Sequence, residues 1–146
     1  MAEMYEVLIV DGAMRWHAGW VVQDDADLLL HVSGAIPVWS SRAGLEHYAQ
    51  EHGFDLLDDL PDEIDLDLGG WLDQGTPEPS TAEISELWHL LIDDPVAGKP
   101  LAAPELEDVY DDLTDDEPDW FADHATAARQ ALRASVAALR ATIKPR

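Results

Sequence analysis

Apolar residues change their period once along this chain, and that change limits the fold more than any other feature. Early in the chain the apolar residues come in short, β-branched runs. Glu6-Val-Leu-Ile-Val10 is closed by Asp11-Gly12, which predicts a buried strand with a turn behind it. Trp20–Val22 and Leu28–Val32 follow, separated by Gln23–Asp27 in the manner of a hairpin connection. Ile36–Trp39 reads as a fourth strand, and Pro37 places it at an edge or a strand start.

From Ser41 onward the spacing is helical. Ser41 caps a helix carrying Leu45, Tyr48, Ala49 and His52, which Gly53 ends. Phe54–Leu57 suggests one more short strand before the acidic segment Asp58–Asp67, and Gly69–Leu72 opens a short helix. Gly75–Pro79 has the composition of a linker. Ser80-Thr-Ala-Glu83 has capping-box spacing, and Ile84, Leu87, Trp88, Leu91 and Ile92 then share one helical face. Pro95–Pro104 is loop. Leu106, Val109, Tyr110 and Leu113 predict a short acidic helix, and a longer one starts near Asp119 and runs through Ala125–Ile143. Leu132, Val136, Leu139 and Ile143 form its apolar seam, with Arg129, Arg133 and Arg140 elsewhere on its surface.

Strands first and helices afterwards predict an α+β fold: an N-terminal antiparallel β-meander packed against several helices, with a long C-terminal helix. The length, 146 residues, is that of a single domain, strand-rich over 1–40 and helical over 41–146.

Charge decides which partners such a domain can meet. Thirty-one acids face eight bases, a net charge of -23, and residues 1–128 hold three cations, Arg15, Arg42 and Lys99. A field of that sign repels nucleic acid and anionic membrane and attracts basic proteins. The acids also cluster. Seven fall between Asp55 and Asp67 and ten between Glu105 and Asp123, with no base inside either stretch. With six tryptophans and 47% apolar residues, this is not an acidic disordered tail.

Specific chemistry is harder to find. Cysteine is absent, which removes disulfides, thiolate metal sites and a cysteine nucleophile. Asp65-Leu-Asp67-Leu-Gly69 starts like a calcium loop, but Gly69 stands where a third oxygen ligand belongs and Thr76 where Glu belongs. The six histidines show no zinc spacing, so no metal or other cofactor is expected. No nucleophile elbow, P-loop or dinucleotide fingerprint is present, and a non-catalytic role is expected. The N-terminus lacks a basic region followed by a long apolar one, so the expectation is a cytoplasmic protein without a signal peptide. Trp120, rimmed by acids, has the look of a binding anchor, although the same residue can staple the start of the last helix.

Three pieces in fixed order add a resemblance. Trp39-Ser-Ser-Arg-Ala-Gly-Leu45 after a strand, Asp65-Leu-Asp-Leu-Gly-Gly-Trp-Leu72, and Leu87-Trp-His-Leu-Leu-Ile-Asp-Asp94 on a helix are similar to segments of small acidic immunity proteins. Those proteins belong to bacterial polymorphic-toxin and contact-dependent inhibition systems. The resemblance covers roughly residues 36–94, and Glu86 stands where an Asn is usual. It implies an inhibitor that occludes a cationic toxin, commonly a nuclease, with no bond made or broken. The contact surface is then expected at Asp58, Asp59, Asp62, Glu63, Asp65 and Asp67, or at Asp111, Asp112, Asp115, Asp116, Glu117 and Trp120. Two alternatives share the charge: a DNA mimic competing for a DNA-binding protein, and a housekeeping domain adapted to high salt.

Overall fold

The computed structural model describes residues 2–22, 27–58, 61–74, 80–114 and 120–146. The expected hairpin connection at residues 23–26 and the linker at 75–79 lie outside this set. The fold is α+β, and the chain forms two compact units, Met1–Leu66 with Thr142–Arg146, and Asp67–Ala141.

In the first unit, β1 (Ala2–Asp11) and β2 (Met14–Val21) form an antiparallel hairpin in register from Met4 opposite Val21 to Asp11 opposite Met14. Gly12 makes the two-residue turn possible with φ of 60°, a value that costs a residue without Cβ nothing. β3 (Leu28–Leu29) pairs antiparallel with β2, completing the expected meander in shorter form. The run to Val32 does not stay in the sheet. Val32 and Ala35 instead exchange backbone hydrogen bonds around Ser33 and Gly34, both at positive φ. β4 (Ile36–Val38) pairs in parallel with β7 (Ile143–Pro145), the end of the chain, and is tied to β2 by mutual backbone bonds of Trp39 and His17. A two-stranded sheet has only edges, which suits Pro37.

The other side of β1 is filled by two strands in tandem, both parallel to it. β5 (Phe54–Leu56) lies along Ala2–Met4 and β6 (Asp62–Asp65) along Val7–Val10. The helical reading of everything after residue 41 therefore misses β6 and β7. Aspartate is depleted in strands, so Asp-Glu-Ile-Asp gives no strand signal. Here only Ile64 of that segment is buried, and acids on a strand with a single neighbour discourage further pairing.

One face of this sheet packs on α1 (Arg42–Glu51). Leu45 and Tyr48 join Met4, Val21, Leu30 and Trp39 in a cluster flanked by Val32, Phe54 and Leu56. Leu45 is fully buried, a contribution of about 2 kcal/mol. Ser41 is the N-cap residue, but its side chain makes no capping hydrogen bond.

In the second unit, Leu68–Gly70 form a turn with three successive positive φ values, 48°, 68° and 96°, leading into α2 (Trp71–Gln74). α3 (Thr81–Ile92) begins with the anticipated capping box: Glu83 N–H donates to Ser80 Oγ at 3.2 Å, and Ser80 N–H to Glu83 Oε2 at 3.1 Å. Its Ile84, Leu87, Trp88 and Leu91 are buried, as are Leu106, Val109 and Leu113 on and beside α4 (Glu107–Thr114). α5 (Trp120–Thr142) buries Ala128, Leu132, Val136 and Leu139. Between α3 and α4, buried Asp94 accepts from Val96 N–H and Ala97 N–H, each at 2.9 Å, and Ser135 Oγ–H of α5 donates to Ala97 O at 2.6 Å.

Candidate functional site

Alternation along β1 puts Glu6, Leu8 and Val10 on the α1 side of the sheet. The registers place His17 and Arg15 of β2, and Glu63 and Asp65 of β6, on that same side. The face is thus apolar toward Met4 and charged toward Val10. At the boundary Glu6 is buried, its side chain 4% exposed, inside a strand where a carboxylate is unexpected. Two hydrogen-bond donors make this tolerable. His17 Nδ1–H donates to Glu6 Oε2 at 2.8 Å, and Arg42 Nη1–H, from the first turn of α1, donates to Glu6 Oε1 at 3.3 Å.

Arg42 also holds Glu46 through Nε at 2.9 Å and Asp58 through Nη2 at 3.3 Å. Burial works against its charge, but the bond to Glu46 and the attraction of Glu6 outweigh it, so its pKa lies above the ordinary arginine value. The guanidinium stays charged at every accessible pH. Further out, Arg15 Nη1–H donates to Glu63 Oε1 at 2.8 Å. The two cations that the first unit offers before its C-terminal residues are thereby committed to carboxylates.

The first expected acidic cluster is dispersed. Asp58 is exposed on Arg42, Asp62 and Glu63 are exposed neighbours on opposite faces of β6, and Asp65 is half-buried at its end. Asp67 is half-buried and belongs to the second unit. Asp59 lies outside the described residues. Asp55, on the opposite face from Glu63, adds another exposed carboxylate to the same two strands.

Of the second cluster, Asp115, Asp116 and Glu117 lie outside the described residues, as does the side chain of Trp120, which starts α5. Asp112 is half-buried and accepts from His124 of α5. Asp111 is exposed, and so are Glu107 and Asp108, which give α4 an acidic outer face opposite Val109 and Leu113.

Sequence reasoning missed Glu6, His17 and Arg42 as a network. Glu6 opens an apolar run and reads as a strand boundary, whereas the strand begins four residues earlier. Arg129 was also misplaced. It is half-buried, with Cζ 5.1 Å from the centroid of the Trp71 ring.

Among the described residues, no three His, Asp or Glu side chains are grouped as metal ligands would be, and no helix is long and apolar enough to cross a membrane. The arrangement presents exposed carboxylates on ordered strands and a helix, suited to long-range attraction of a basic surface.

No protein-family model matches this chain, and no curated protein matches it either. Among solved structures it is similar to the C-terminal domain of SatS, crystallised in complex with bromine, with a TM-score of 0.52 over 98% of this chain and 94% of that one. At 13% identity the likeness shows the α+β fold alone.

Proposed function

We propose that this chain is a non-catalytic binding protein that meets a basic protein with its acidic surface. On the resemblance of residues 36–94 to immunity proteins, the partner is a cationic toxin domain, of nuclease type. Neutralisation is by occlusion, in the cytoplasm of the cell that makes both proteins. Electrostatic attraction sets a fast, salt-sensitive approach, and contacts made afterwards set the lifetime of the complex.

The observation that carries this reading is how charge is disposed. Arg15 and Arg42 are already held by Glu63, Glu6, Glu46 and Asp58, so few cations remain to neutralise an approaching basic surface's targets. Asp55, Asp62 and Glu63 of the sheet and Glu107, Asp108 and Asp111 of α4 stay exposed. A DNA mimic needs its acids in a row along one face, and Asp62 and Glu63 point to opposite sides of β6, which favours the protein-partner reading.

The test is to identify what the tagged chain retains from lysate of its own organism at low salt, then co-express that protein with and without the chain. One basic protein retained in equal amount, toxic alone and harmless together with the chain, supports the reading. A DNA-binding protein displaced by competing DNA, or a mixture of ribosomal proteins, overturns it.

A further inference from the structure

A strand at the edge of a sheet offers backbone N–H and C=O groups on which another extended chain can pair. The edges of this fold are not alike. β3 is two residues long, and β7 presents Pro145, which has no N–H, beside the basic Lys144. β5 is three residues long, with Phe54 and Leu56 packed against the α1 cluster. β6 differs from all of these. It is four residues long, free of proline, paired among the described residues with β1 alone, and carries Asp62, Glu63 and Asp65.

Hydrogen bonding along β1 says which groups of β6 face outward. Glu3 O accepts from Val22 N–H on the β2 side, while Met4 O and Val10 O accept from Leu57 N–H and Leu66 N–H on the other side. Parallel pairing alternates, so Asp62, Ile64 and Leu66 turn their peptide groups toward β1. Glu63, between them, turns its N–H and C=O away. It is an exposed residue, and its carboxylate, which accepts from Arg15 at 2.8 Å, lies on the α1 side of the sheet. Asp62 is exposed on the opposite side. A strand laid along this edge thus meets acid on both of its faces. Like charges directly opposite across a strand pair are destabilising, and opposite charges are stabilising. The acids therefore bar a second copy of this chain from the edge and favour a strand of the other sign.

We propose that β6 is a docking edge, on which an extended segment of the basic partner, bearing lysine or arginine, adds as one further strand. Glu63 N–H and C=O bond to the backbone of that segment, and its cations sit across from Asp62 and Glu63. Backbone pairing is indifferent to side-chain identity, so the acids supply the selection. Docking of this kind rests on the reading of the chain as a binder of a basic protein, and names the element which that protein meets.

The experiment titrates a short capped peptide alternating lysine with valine into the full chain at an ionic strength of about 0.15 M. A peptide alternating glutamate with valine is the control. Two-dimensional nitrogen–proton NMR follows the backbone N–H signals. The expected result is a saturable shift of Glu63 N–H, with slowed hydrogen exchange there, for the lysine peptide alone. Glu63→Pro removes the outward N–H at a position where an edge strand tolerates the ring, and Glu63→Gln removes only the charge. The first should weaken binding about tenfold, as loss of a hydrogen bond does, and the second about threefold or less. Melting curves confirm that both variants are folded. Should Glu63→Pro fail to fold, protection of Glu63 N–H in the wild type decides. Saturable binding without that protection, equally weakened in both variants, means attraction without strand pairing. It overturns the docking mode and leaves the basic-partner reading standing. Absence of saturable binding, or equal binding of the glutamate peptide, also overturns it, while the protein retained from lysate tests the basic-partner reading separately. Protection that rises with protein concentration in the absence of peptide places a second copy on the edge, and overturns it too.

Discussion

At the scale of single residues, stability rests on a few buried polar groups whose partners are fixed. Glu6 depends on His17 and Arg42, and removing its carboxylate takes an acceptor from both partly buried donors, though Arg42 keeps Glu46 and Asp58. Glu6→Ala should lower the unfolding free energy by about 2–3 kcal/mol in urea denaturation. Glu6→Gln, which keeps the shape and one acceptor, should cost less. Gly98 is a different case. A Cβ there would lie 2.1 Å from Ile92 O and 2.7 Å from Asp94 O, both backbone atoms that cannot step aside. Gly98→Ala should therefore cost about 1–3 kcal/mol, read as a lower melting temperature, although its φ is ordinary. None of this was visible in the sequence. Glu6 looks like a strand boundary, and Gly98 like one more turn glycine, because both constraints come from residues distant in space or held by a loop.

At the scale of elements, local signals carried well where the chain satisfies itself. The Ser80–Glu83 box, the stripe Ile84–Leu87–Trp88–Leu91 and the seam Leu132–Val136–Leu139 all sit as their spacing predicts. Ser80→Ala should cost about 1 kcal/mol and speed hydrogen exchange at Glu83 N–H more than in α5. Where pairing is nonlocal the reading failed. β6 and β7 are strands because β1 and β4 accept them, with registers that composition does not encode. The acidic candidate site was legible as charge, since Asp62, Glu63 and Asp111 are exposed. Its division between opposite faces of β6, and the capture of Asp112 by His124, depended on strand and helix geometry that the acid count does not contain.

At the scale of the whole molecule, the net charge of -23 does two things. Self-repulsion weakens the folded state, and the same field draws in a basic partner. Raising sodium chloride from about 0.01 M to 0.15 M shortens the Debye length from about 30 Å to 8 Å. The melting temperature should rise over that interval while association with a basic partner slows. Opposite signs from one cause distinguish a field acting over the molecule from a local contact. Lys substitution at Asp55 and Asp62, which share one face of the sheet, or at Asp108 and Asp111, separates the two acidic surfaces. The one that faces the partner should lose about tenfold in association rate at low salt, and the other much less.

The most direct measurement is the association rate of the chain with the basic protein it retains, followed by stopped-flow fluorescence against salt concentration for wild type and both Lys pairs. Recognition through the acidic surface predicts a rate that falls steeply with salt and is strongly reduced by one of the two pairs. A rate flat in salt, with both variants indistinguishable from wild type, would contradict recognition through the acidic surface.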